Sequence, residues 1–189
     1  MSTINYKNYK ISRDLAWKIL LDTKSDRLPI SVSKICRDLK VIVKLYEPND
    51  SNSGYSILYP GEGAAIYVSS LEPRARQRFT AAHELGHILL GHVGQHKSVN
   101  REPAVNDNPI EQSANVFAAR LLAPACVLRG CGVQSADEIA ALCDISKTAA
   151  EFRWERMKIL LSRDKFFLSP LETAVNELFE DYIKKHRLR

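Results

Sequence analysis

The sequence predicts an α+β fold with a small antiparallel sheet and a helical C-terminal region. Three observations carry that expectation. β-Rich runs at residues 41–46, 55–59 and 64–68 are separated by turn clusters around Pro48 and Pro60. Segments with helical periodicity lie on both sides of these runs. Past Gly132 the chain carries short helical stretches and no further strand.

The elements follow in order. Residues 12–21 set Leu15 and Ile19 on one face behind Ser12 as N-cap, and residues 31–39 repeat the pattern with Val32, Ile35 and Leu39 behind Ser31. After the strands, Pro73 suits the first turn of a helix that runs through His87 and stops at Gly91. Residues 92–108 are polar and read as a long mobile loop. Asn108 and Pro109 then open a second core helix, with Ile110, Ala114, Phe117, Ala118, Leu121 and Leu122 along one face and Pro124 at its end. Shorter helices are expected at residues 136–143, 146–161 and 170–185. The organisation reads as a domain over residues 1–130 with a helical region, 131–189, packed on it. Ala64 to Val68 reads as an exposed edge strand.

Of the 189 residues, 45% are hydrophobic and 26% charged, the balance of a folded globular protein. The polar N-terminus does not read as a signal peptide, and no stretch approaches the roughly 18 apolar residues of a membrane span. A cytoplasmic location without membrane contact is therefore expected. The four cysteines, Cys36, Cys126, Cys131 and Cys143, form no CxxC pair and read as reduced, partly buried thiols. The net charge of +5 hints at an acidic or nucleic-acid partner, but the positives are dispersed except at Lys184, Lys185, His186, Arg187 and Arg189, a cluster that a solvated tail explains at least as well.

The chemistry sits on HELGH. Four residues apart on a helix, His83 and His87 project from one face and can share an ion. Zinc suits imidazole, and a catalytic zinc takes three protein ligands and leaves a fourth position for water. Glu84 is rotated about a quarter turn from His83 and is the natural general base. Phe79, Ala82, Leu85, Ile88, Leu89 and Leu90 make the helix apolar almost all round, so its histidines are expected to be buried and to need partners. Gly86 costs about 1 kcal/mol relative to Ala in a helix, which suggests that another backbone passes close to it.

The third ligand is open to choice. Val93 and Leu90 stand where a third His and its Gly would fall in one familiar pattern. Glu111 on the helix opened by Asn108 fits a site of two His and one Glu, with Asn115 one turn on, placed to hydrogen-bond a ligand imidazole. Glu111 also stands where a capping-box partner of Asn108 would be. Glu102, His92 and His96 are reserve candidates in the polar loop.

The blocks RFTAAHELGH, Arg78 to His87, and EQSANVFAARLLAP, Glu111 to Pro124, together resemble the ImmA/IrrE family of metallopeptidases. The resemblance extends more loosely over residues 30–45 and 137–157. It implies a zincin-like domain and one zinc per chain held by His83, His87 and Glu111, with Glu84 catalytic. It also implies a protein substrate, a helix-turn-helix repressor of phage, mobile-element or stress-response type. Ala123 stands where many relatives have Met before the final Pro.

Residues 135–157 approach helix-turn-helix spacing through Ala140, Ile145 and Ala150, but Asp144 replaces the usual turn Gly and Arg153 an apolar core residue. The expectation is a helical module that helps recognise a protein substrate rather than direct nucleic-acid binding. The alternative is a non-proteolytic metal- or DNA-binding regulator built on these helices.

Overall fold

Helices α1 (Tyr6–Asp22) and α2 (Val32–Asp38) lead into strands β1 (Val41–Tyr46), β2 (Gly54–Tyr59) and β3 (Gly63–Ser69). Helices α3 (Arg74–Leu89), α4 (Pro109–Leu122), α5 (Ala125–Gly130), α6 (Ala136–Cys143), α7 (Lys147–Ser162), α8 (Pro170–Leu178) and α9 (Glu180–His186) follow. The computed structural model describes residues 5–49, 51–93 and 108–187. Most of the expected mobile loop, with His96 and Glu102, lies outside the described residues.

α1 starts six residues before Ser12, because residues 6–11 hold no Gly or Pro to stop a helix, and Ser12 is buried within it. The expected helix over 170–185 breaks at Phe179, whose ring is fully buried. α5, which follows Pro124 directly, is not foreshadowed by any periodicity in the sequence.

The sheet order is β1-β3-β2. β2 and β3 form the expected antiparallel hairpin, but β1 pairs with β3 in parallel, so the sheet is mixed. β3 is therefore the central strand rather than the exposed edge its sequence suggests. Hydrophobic alternation marks a strand but does not encode its neighbours. The free edges among the described residues are β1 and β2.

The chain divides into two compact units, Met1–Arg13 with Val32–Ala118, and Asp14–Ser31 with Ala119–Arg189. In the first, α3 lies on the sheet face that carries Gly54, Ser56, Ile66 and Val68. Ile66 and Val68 are fully buried there. Gly54 is required: a Cβ would lie 2.5 Å from Cγ2 of Thr80 and 2.6 Å from the carbonyl oxygen of Tyr67. On the opposite face Tyr55 stacks on Tyr67 at 4.9 Å and meets Tyr46 edge-on at 5.3 Å.

The backbone phase of β2 follows from one bond. Ser69 N–H donates to the Ser53 carbonyl at 2.9 Å, and these residues are one step beyond the Gly54 and Val68 pair. Hydrogen-bonded and non-hydrogen-bonded pairs alternate along an antiparallel ladder. Tyr55 and Ile57 thus bond to β3, whereas Gly54, Ser56 and Leu58 turn their N–H and C=O groups to the open edge.

In the second unit α6 and α7 form a helix-turn-helix. Ser135 accepts from Glu138 N–H and Ser146 from Ala149 N–H, capping the two helices. Asp144 takes the left-handed turn position at φ 50°, a conformation Asp tolerates better than most residues. Arg153 is buried, and its Nε donates to the Ala123 carbonyl at 2.8 Å.

Candidate metal centre

Every residue of α3 from Thr80 to His87 is buried, as the apolar surround of the motif predicts. One helical turn separates His83 from His87, and their Nε2 atoms lie 2.9 Å apart. Glu111, in the first turn of α4, reaches both: its two carboxylate oxygens lie 3.2 Å from His83 Nε2 and 3.2 Å from His87 Nε2. The three ligand atoms lie within 4.8 Å of one another, a group that could hold a metal ion. The cap reading of Glu111 is not realised. Asn108 Oδ1 accepts from Ile110 N–H, and the Glu111 carboxylate is turned to the histidines.

The outer atoms of both rings are engaged as well. His83 Nδ1 lies 2.8 Å from Asn115 Oδ1, the contact expected from its position one turn after Glu111. An amide oxygen accepts, so His83 Nδ1 carries the proton and its Nε2 presents a lone pair. His87 Nδ1 lies 3.1 Å from His92 Nδ1. Helix α3 ends in a Schellman motif around Gly91 at φ 74°, with His92 N–H donating to the His87 carbonyl and Gly91 N–H to the Ile88 carbonyl. That cap brings His92 beside His87, on the ring atom opposite the cluster. His92, a reserve ligand by sequence, is a neighbour of a candidate ligand. Burial lowers its pKa and the neighbouring His87 adds to this, favouring the neutral ring, whose Nδ1 can accept a hydrogen bond from His87 Nδ1–H.

Two imidazole lone pairs and a carboxylate turned to one point repel unless a cation or protons lie among them. Ligand atoms about 2.05 Å from a tetrahedral zinc are about 3.3 Å apart. The two Nε2 atoms, 2.9 Å apart, are somewhat closer than that, and the 3.2 Å contacts reach one carboxylate oxygen each, so the cluster is compact enough to close on a single ion. Burial alone would raise the pKa of Glu111, but the close approach of His83 and His87 outweighs it and holds the carboxyl well below its usual range.

Glu84 is 3% exposed, and its Oε2 accepts from the Ser56 hydroxyl on β2 at 2.9 Å. Sequence reasoning missed Ser56, since nothing local links a strand serine to a carboxylate 28 positions on. Close approach at Gly86 is real, but the neighbour is the Phe117 ring of α4 rather than a backbone.

Residues 38–155 match the model of Peptidase_M78, the IrrE N-terminal-like domain. No curated protein matches the sequence. A solved Mycobacterium tuberculosis transcriptional regulator shares the fold, with a TM-score of 0.57 at 14% identity over 78% of this chain. This chain spans 57% of that structure's length. No described helix is long and apolar enough to cross a membrane. The family match covers well over half of the chain and includes α3, Glu111 and the strands that flank Glu84. The chain belongs to the peptidase family of the IrrE N-terminal-like domain.

Proposed function

We propose that this chain is a zinc-dependent endopeptidase acting on a specific protein substrate, a helix-turn-helix repressor of a phage, mobile element or stress response, in the cytoplasm. The observation that carries the reading is the convergence of His83 Nε2, His87 Nε2 and the Glu111 carboxylate beside buried Glu84, in a chain of a peptidase family.

Zinc bound by these three residues would polarise the scissile carbonyl and acidify a water. The protein supplies the rest. Asn115 fixes the tautomer of His83, and His92, when its Nδ1 is the acceptor, supports the matching tautomer of His87. Glu84 takes the proton of the attacking water and delivers it to the leaving amine. A scissile segment must be extended, and β2 is the open edge beside Glu84 on which such a segment can pair by strand addition. The helices α6 and α7 offer a docking face, with Phe152 75% exposed on α7.

A second reading, a DNA-binding regulator without proteolysis, draws on the helix-turn-helix form of α6 and α7 and on the similarity of the fold to a transcriptional regulator. Against it, α7 offers no basic face: its exposed Lys147 and Lys158 are matched by exposed Glu151 and Glu155, and Lys158 pairs with Glu155. The deciding experiment mixes wild-type protein and Glu84→Gln with the repressor encoded beside this gene and maps fragments by mass spectrometry. Cleavage by the wild type alone is expected. Intact repressor under zinc-replete conditions, with DNA affinity in this chain, would select the second reading.

A further inference from the structure

We infer that Ser56 is a positioning residue that ties the open edge of the sheet to Glu84, an inference that rests on the peptidase reading above. Its hydroxyl donates to Glu84 Oε2 at 2.9 Å. This fixes one oxygen of a carboxylate that is 3% exposed and so sets the plane in which the other oxygen points. The donor is itself held in place. Two residues earlier on β2, Gly54 sits against Thr80 so closely that a Cβ would come within 2.5 Å of it, which locks the strand onto α3 one turn before Glu84.

The same residue faces outward with its main chain. Ser56 opposes Ile66 in a non-hydrogen-bonded pair, so its N–H and C=O are presented at the free edge. A peptide segment pairing with β2 takes its hydrogen bonds from the residue whose side chain orients the base. Registration of the scissile segment and orientation of Glu84 are thereby set by one residue. The backbone serves binding and the hydroxyl serves turnover.

The two contributions separate experimentally, because Ser56→Ala deletes the hydroxyl and keeps the backbone. The probe is a quenched-fluorescent peptide, selected from a random-sequence library for cleavage by zinc-loaded wild type and not by Glu84→Gln. Ser56→Ala is expected to lower kcat about 10- to 100-fold, the range usual for partners that orient a catalytic group, with KM and zinc affinity unchanged. Ser56→Thr, which restores a hydroxyl on a strand-compatible side chain, is expected to recover most of kcat. A readout independent of turnover is the Glu84 side chain in crystals of the three zinc-loaded proteins: one conformer in wild type and Ser56→Thr, a rotated or multiple conformer in Ser56→Ala. An unchanged kcat or an unchanged Glu84 conformer in Ser56→Ala overturns the role. Should wild type cleave neither a library peptide nor the repressor, the peptidase reading fails, and the conformer comparison still decides whether Ser56 holds Glu84.

Discussion

Gly86 on α3 and the Phe117 ring on α4 are in contact so close that a Cβ at Gly86 would lie 2.9 Å from Cδ1 of that ring. Gly86 stands between the two histidines, and Phe117 is on the helix that delivers Glu111. The missing side chain therefore sets how near the Glu111 helix comes to the histidines. Replacement by alanine improves helix propensity by about 1 kcal/mol, but overpacking of this kind costs about 1–3 kcal/mol. Gly86→Ala is expected to lower the melting temperature and to weaken zinc binding in a chelator-competition titration. Adding Phe117→Leu should recover part of the zinc affinity, since it gives the new methyl room. Wild-type zinc affinity in Gly86→Ala would break the link between this contact and the ligand geometry.

Glu111 distinguishes ligand from cap by the size of its effect. Glu111→Ala is expected to weaken zinc binding by orders of magnitude, whereas loss of a helix cap alone costs about 0.5 to 2 kcal/mol of stability and leaves the metal in place. Asn115→Ala, which removes the acceptor behind His83, should cost about 10- to 100-fold in affinity. Metal analysis and thermal melts on the same preparations separate the two. Full zinc content in Glu111→Ala would return the choice of third ligand to His92 and Glu102.

How legible these features were depends on range. His83, Glu84 and His87 are readable because four-residue spacing on a helix is a local property, and the unbroken apolar surround announces burial. Glu111 and Asn115 are readable as a pair on a second helix, but only the fold decides whether the Glu111 carboxylate turns to a cap or to the histidines. The strand order was not legible, because β1 and β3 carry the same kind of residues whether they are neighbours or not. Ser56 had no signal at all. His92 had one, since Gly91 after an amphipathic helix predicts a Schellman cap, which folds the next residue back over the last turn.

The cysteines should be silent in the native protein. Cys36, Cys126, Cys131 and Cys143 are all buried. Burial pushes the first two thiols up to about 12 and Cys131 up to about 11, with Glu172 adding to the shift at Cys126. At pH 8 the thiolate fraction of these three is negligible and Cys143 is buried, so a thiol reagent should react slowly with folded protein and with all four residues once it is denatured. The raised values also set a stability window. The unfolded thiols ionise near 9.0 and the folded ones only near 11 to 12, so this contribution is intact below pH 9.0 and is lost as pH rises through that interval. Denaturant midpoints should fall across the same range. Fast labelling of native Cys126 at pH 8 would contradict its burial.

Strand addition at β2 can be tested by the backbone alone. Leu58 opposes Ala64 in a non-hydrogen-bonded pair, two residues from Ser56, so its N–H points to the free edge. Proline lacks that N–H and is tolerated on an edge strand when the missing donor faces solvent. Leu58→Pro should therefore fold and bind zinc but cleave the library peptide poorly, through a raised KM, because the pairing strand loses a hydrogen-bond donor. Ile57→Pro is the counterpart: the Ile57 N–H belongs to the ladder with Ala65, so proline there removes an internal bond and should unfold the hairpin. Leu58→Ala controls for the side chain, which is 41% exposed. If Leu58→Pro matches Leu58→Ala in KM, the peptide does not pair with β2, and the scissile segment reaches Glu84 by another route.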